Sequence, residues 1–134
     1  AAAFNADIVD APSVYYQSWA GVSRPMGQGR SEIDRRAEEL CASDDGDAYD
    51  AGRRDYMALP LAPFVDHVSL DKSMPHDGFV AVDSARWGHF RGCIPADHQE
   101  QLGQKNLPDV NVRTGLDIAR FYASVASDLA KRGL

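Results

Sequence analysis

The chain has 134 residues, of which 44% are hydrophobic and 25% are charged, as is typical of one globular domain. No apolar run approaches the roughly 20 residues that a transmembrane helix needs, so the sequence predicts no transmembrane segment. The net charge of -6 argues against nucleic-acid binding, because such surfaces depend on clustered lysine and arginine. These properties favour an acidic protein that acts on an uncharged substrate.

The first half of the chain predicts one strand, one helix and long loops. Residues 14–19 are rich in β-branched and aromatic side chains, which indicates a buried strand. Glycine and proline predict a loop over residues 23–30, and a capping box opens a predicted helix over residues 31–42. An acidic loop follows at residues 44–50. The proline-punctuated stretch at residues 53–68 is typical of a surface excursion.

The second half predicts a short strand and a long terminal helix. Residues 77–85 form an ordered region, and residues 88–94 are a strand candidate that stops at a proline. Residues 114–132 carry apolar side chains at helical spacing after Thr114, which we expect to cap an amphipathic helix. Because so few strands leave a thin core, we expect further polypeptide to complete the sheet.

Asp77 and His98 are the candidates for chemistry. Asp77 precedes Gly78, which permits a sharp turn, and His98 follows the strand candidate at residues 88–94 in a loop. A hydrolytic triad needs a carboxylate that orients an imidazole, and adjacent strand-end loops could bring these two together. The alternative is a common turn aspartate and an ordinary surface histidine.

Five stretches of the chain carry a family resemblance: AAAFN at 1–5, YYQSWAG at 15–21, HDGFV at 76–80, ADHQEQLGQ at 96–104 and LAKRGL at 129–134. In the same order, they resemble stretches of the bacterial triacylglycerol lipases of the Pseudomonas and Burkholderia type. In that family the acid loop looks like N-D-G-L-V and the histidine loop like N-H-L-D-E-x-N-Q. The resemblance leaves residues 24–75 uncovered.

The resemblance implies the fold and the activity. Residues 1–134 would be the C-terminal segment of a single α/β-hydrolase domain, an α/β fold with a mostly parallel central sheet and flanking helices, completed by an N-terminal chain. Residues 24–75 would be an insertion or loop region. The activity would be carboxylic ester hydrolysis, with Asp77 as the acid and His98 as the base of a Ser-His-Asp triad and with a lipid or another ester as substrate. The protein would be bacterial and secreted.

The nucleophilic serine has no candidate in this sequence. The family's nucleophile elbow is G-x-S-x-G, and the nearest match is Ser23, where Pro25 replaces the second glycine. The resemblance therefore implies a partner, an N-terminal lipase fragment that carries the serine. We expect this chain alone to be inactive.

The chemistry requires no cofactor, but a structural calcium ion is implied. Glu100 stands where the family has an aspartate ligand, and Gln104 matches a position that ligates through its backbone carbonyl. An upstream aspartate ligand could be Asp55 or Asp66.

The two cysteines, Cys41 and Cys93, match no metal or redox spacing. A disulfide and two free thiols are both open. The resemblance implies that Cys93 lacks the family's own disulfide partner, since Asp83 stands in that cysteine's place.

Two other kinds of function remain open. A sterol esterase or a polyester depolymerase would use the same acid and histidine with a different cleft. A non-catalytic cation-binding or complementation module would need neither residue.

Overall fold

Two parallel strands, β1 (Gln17–Gly21) and β2 (His89–Ile94), form a sheet at the centre of the described part of the chain. Gln17 lies opposite His89 and Gly21 lies opposite Ile94, with an irregularity between Ser18 and Ala20. Burial alternates along β2, so one of its faces points into the core. This is a computed structural model, and it describes residues 9–25, 32–50, 52–53, 55–69, 71–103 and 110–134.

Both predicted strands are present, but β1 begins later than predicted. The Val14 N–H donates to the Ala11 carbonyl, which makes the first predicted strand residue part of a turn. Pairing with β2 starts where the His89 N–H donates to the Tyr16 carbonyl at 2.9 Å. The prediction of residues 88–94 for the second strand is confirmed to within one residue.

Five α-helices and one 3-10 helix surround the sheet among the described residues. They are α1 (Glu32–Leu40), the 3-10 helix Leu59–Phe64, α2 (Val65–Val68), α3 (Val82–Ala85), α4 (His98–Gln101) and α5 (Ile118–Lys131). None of them is both long enough and apolar enough to cross a membrane. The predicted helix over residues 31–42 corresponds to α1, although its predicted cap, Ser31, lies outside the described residues.

The terminal helix was predicted to begin at Thr114, and that prediction is wrong. Asp117 caps α5, because its carboxylate accepts a hydrogen bond from the Arg120 N–H. The Thr114 hydroxyl instead accepts from the Leu116 N–H, which closes a turn before the helix. Both residues offer a capping oxygen, so the sequence alone could not separate them.

The core joins α1 and α3 to the sheet. Its buried members are apolar or small: Ala20, Val22, Ala37, Cys41, Val82 and Phe90. The proline-punctuated stretch after residue 53 was predicted to be a surface excursion, yet Met57 and Leu61 are buried there. The placement of the chain in an α/β-hydrolase, and of residues 24–75 as an insertion, stays a prediction.

A disulfide between Cys41 and Cys93 ties the end of α1 to β2. Of the two possibilities that the sequence left open, the structure therefore has the bridge. The Cys41 carbonyl also lies close to Gly92, where an added Cβ would meet it at 3.2 Å. The bridge thus fixes α1 against the sheet at a point of tight packing.

We expect the disulfide to contribute about 2–4 kcal/mol to the free energy of unfolding, because it restricts a long loop in the unfolded chain. Denaturant titration should show this loss for Cys41→Ser/Cys93→Ser relative to the oxidised wild type. A reducing agent should lower the wild-type midpoint and leave the variant unchanged. Equal stabilities would contradict the prediction.

Candidate active site

Asp77 and His98 are in direct contact. The His98 Nδ1 and Asp77 Oδ2 atoms lie 2.9 Å apart, and the His98 backbone N–H donates to the Asp77 carbonyl at 2.9 Å. The Asp77 side chain is 5% exposed, whereas that of His98 is 35% exposed. Because Nδ1 faces the carboxylate, Nε2 is the ring nitrogen that can exchange a proton with a bound group.

A tight turn orients the Asp77 carboxylate. Oδ1 accepts hydrogen bonds from the backbone N–H groups of Phe79 at 2.9 Å and Val80 at 2.7 Å. Gly78 between them has a φ of 104°, a left-handed conformation that favours glycine. A Cβ there would also meet the Leu61 side chain at 3.1 Å. The Asp-Gly pair thus allows the chain to fold back on its own carboxylate.

A capped helical turn presents His98. The residue was predicted in a loop after the second strand, and it is in fact the first residue of α4. Asp97 caps this helix: its carboxylate accepts from the Glu100 N–H at 2.9 Å, and the Glu100 carboxylate accepts from the Asp97 N–H at 3.2 Å. This capping box fixes the backbone on both sides of the imidazole.

A cavity of about 220 Å³ opens beside the pair. Its lining includes Trp19 and Gly21 from β1, Val80 from the acid turn, and Tyr122 from α5. On another side of the imidazole, the Phe79 ring meets His98 edge-on with centroids 5.2 Å apart. The pair therefore borders a mixed apolar and polar space that could admit a small part of a substrate.

The sequence also offers four large apolar side chains that could line an acyl-chain cleft, with core or rim packing as the alternative: Trp19, Met26, Phe64 and Met74. Trp19 lines the cavity, and Phe64 contacts Phe79 with ring centroids 4.9 Å apart. Met74 is buried and does not line the cavity. Met26 lies outside the described residues.

Three carboxylates close to His98 could hold a metal ion. Oxygen atoms of Asp55, Asp97 and Glu100 lie within 4.8 Å of one another. Glu100 was predicted as a ligand, and of the two upstream candidates the structure brings in Asp55. Asp66 is exposed instead and bonds Lys72. Gln104, the other predicted ligand, lies outside the described residues.

Asp97 was missed, although its position directly before His98 and three residues before Glu100 could have revealed it. The donor set suits a hard cation such as calcium, which prefers oxygen ligands. The Asn111 side chain approaches through nitrogen: Nδ2 donates to Asp55 Oδ1 at 2.9 Å and Glu100 Oε1 at 2.7 Å. We therefore count only the carboxylates as candidate ligands.

Ser23 and His76 are not at the reacting face. Ser23 is buried, and its N–H donates to the His76 carbonyl. The His76 ring is also buried, and its Nδ1 accepts from the Gly78 N–H at 3.0 Å. Burial lowers the pKa of His76, and the neighbouring Asp77 opposes this effect.

A comparison with known proteins finds a partial similarity to one lipase. Triacylglycerol lipase 2 of Saccharomyces cerevisiae is 35% identical over 72 residues, which cover 46% of this chain and 22% of the yeast protein. The chain thus spans about a fifth of that relative's length. No family model and no solved structure matches. The resemblance to the Pseudomonas and Burkholderia lipases stays a prediction.

We expect the lowered pKa of His76 to make stability depend on pH. As the pH falls through the ordinary histidine value of 6.5, the unfolded chain takes up a proton before the folded chain does. The contribution of His76 is therefore complete above that pH and is lost below it. Urea titrations should show that His76→Asn loses less unfolding free energy between pH 8 and pH 5 than the wild type.

His67→Asn is the control for this comparison, because His67 is exposed. Its pH dependence should match that of the wild type. Identical pH dependence in His76→Asn and the wild type would show that His76 does not contribute.

Proposed function

We propose that this chain supplies the acid and the base of a Ser-His-Asp triad in a carboxylic ester hydrolase of the triacylglycerol lipase type. One observation carries the proposal: a buried Asp77 carboxylate bonds His98 Nδ1 at 2.9 Å and leaves the more exposed imidazole free to serve a nucleophile through Nε2. The partial similarity to a triacylglycerol lipase supports the substrate class.

In the proposed mechanism, a serine hydroxyl attacks the ester carbonyl and His98 Nε2 accepts its proton. The tetrahedral intermediate collapses, the proton passes to the leaving alcohol, and an acyl-serine remains. Water then attacks the acyl-serine in the same way, with His98 taking and returning its proton. Asp77 stabilises the imidazolium in both steps and holds its ring in the required tautomer.

We further propose that an N-terminal lipase chain provides the serine, the oxyanion hole and most of the central sheet. The triad requires a nucleophile, and the 134 residues contain no G-x-S-x-G elbow. The acid precedes the histidine in the sequence, and β1 and β2 pair in parallel. Both features support a C-terminal portion of an α/β-hydrolase. The disulfide supports secretion, since such bridges persist in oxidising compartments.

The decisive test measures ester hydrolysis and fluorophosphonate labelling of the purified native protein. We expect a second, larger chain to co-purify and to take the label. Asp77→Asn and His98→Ala should each lower kcat by at least about 10³-fold, because members of the triad act as a unit. The fold should be retained in both variants.

Asp83→Asn and His67→Ala are the matched controls, since both residues are exposed. They should keep full activity. The hydrolase proposal fails if this chain is alone in the native material, takes no label and binds calcium equally well with Asp77→Asn. A non-catalytic cation-binding or complementation module then replaces it. Assays with triacylglycerols, sterol esters and polyesters distinguish the lipase from the two other esterases.

We also propose that calcium binds Asp55, Asp97 and Glu100. When bound, the ion would supply structural support and no chemistry. The support for this site is the convergence of three carboxylates, of which two form the capping box of the helix that begins with His98. An ion there would hold that helical turn and the residues around Asp55 together.

Calcium should therefore raise the free energy of unfolding. The increase should be about 2.7 kcal/mol when the free calcium concentration is 100 times the Kd. Thermal denaturation with calcium and with a chelator measures the effect. Glu100→Gln should remove it, and Asp66→Asn should not, because Asp66 lies outside the cluster. A calcium effect of equal size in Glu100→Gln would place the ion elsewhere.

A further inference from the structure

Gln101 bonds the same carboxylate oxygen that bonds His98. Its Nε2 atom lies 2.7 Å from Asp77 Oδ2 and 3.5 Å from the Asp97 carbonyl oxygen. Because both neighbours are acceptors, the amide nitrogen and not the amide oxygen must face them. Gln101 and His98 are the last and first residues of α4, so one helical turn delivers two donors to one oxygen.

With Gln101 included, the described residues supply all four hydrogen bonds that the Asp77 carboxylate can accept. Phe79 and Val80 donate to Oδ1, and His98 and Gln101 donate to Oδ2. A carboxylate offers about four lone-pair sites, and here each is used. Removing the Gln101 donor would leave Oδ2 held by the imidazole alone, so the carboxylate could rotate away from the ring.

The chain makes room for this amide at Gly21. A Cβ at Gly21 would lie 2.1 Å from Gln101 Nε2 and 2.7 Å from the Ala96 carbonyl oxygen. Since both contacts are sterically forbidden, a side chain at this position would displace the amide and the backbone before α4. On the other side, the Tyr122 hydroxyl donates to the Gln101 carbonyl at 2.8 Å. Gly21 at the end of β1 thus leaves space for the Gln101 side chain, and Tyr122 of α5 holds the Gln101 backbone.

We infer that Gln101 is a positioning residue: it fixes the Asp77 carboxylate against His98 and does so without adding a charge. The inference rests on the proposed function, in which Asp77 acts through His98. A carboxylate at position 101 would have no N–H to donate and would repel the Asp77 carboxylate, so Asp77 would lose this support.

The test compares Gln101→Glu with Gln99→Glu in the full protein. Both variants add one negative charge to α4, but only residue 101 bonds Asp77. Proton NMR of the His98 ring, assigned with His98→Gln and recorded at one fixed pH, reports the hydrogen bond between Nδ1 and Asp77 without any need for activity. We expect the downfield Nδ1–H signal to be weakened or displaced in Gln101→Glu and to stay as in the wild type in Gln99→Glu.

Kinetics provide a second measurement. Gln101→Leu should lower kcat about tenfold at unchanged KM, because one hydrogen bond to a charged group is lost. Gln99→Leu is the control and should keep the wild-type kcat.

Asp77→Asn separates the failure of this inference from the failure of the proposed function. If Asp77→Asn abolishes the downfield Nδ1–H signal of His98 and Gln101→Glu changes it no more than Gln99→Glu does, the positioning role is wrong and the triad proposal survives. If Asp77→Asn leaves the signal unchanged, Asp77 does not bond His98 and both are wrong. If the signals change as expected but no ester is hydrolysed, the positioning role stands and the proposed function fails.

Discussion

The Asp77 carboxylate is buried, and the residues around it are arranged to supply its hydrogen-bond donors. An unpaired buried charge would cost several kcal/mol, so the carboxylate needs a hydrogen bond at every lone pair. Two donors come from the turn that follows it, and two come from α4. The left-handed Gly78 allows the first pair, and the missing side chain of Gly21 allows the second.

The same helical turn links this pair to the acidic cluster. Asp97 begins α4 and Glu100 completes its capping box, while His98 and Gln101 point their side chains to Asp77. Asp97 Oδ2 also accepts from the Ala58 N–H at 2.8 Å, which connects the turn to the 3-10 helix region. One helical turn and its cap therefore carry His98, Gln101 and two of the three clustered carboxylates.

The sequence pointed to Asp77 and His98, which the structure brings into contact, but not to the residues that support them. Asp77 and His98 were singled out because the stretches around them resemble the acid and histidine loops of a lipase family. Gln101 was missed because a glutamine in a helix is usually a solvent-facing residue. Its role depends on Gly21, which is 80 positions earlier in the sequence, and no local pattern encodes that contact.

The packing of β1 bears on how this sheet is completed. Tyr15 precedes β1, Gln17 begins it and Trp19 lies at its irregularity. Each has a buried polar atom, respectively Oη, Oε1 and Nε1, that finds no hydrogen-bond partner among the described residues. Each such atom costs about 1–3 kcal/mol when unsatisfied, so solvent, residues outside the described part of the chain or a further chain must supply the partners. Because α5 already packs on Tyr15 and Trp19 through Arg132 and Phe121, a further chain would meet these atoms beside that helix.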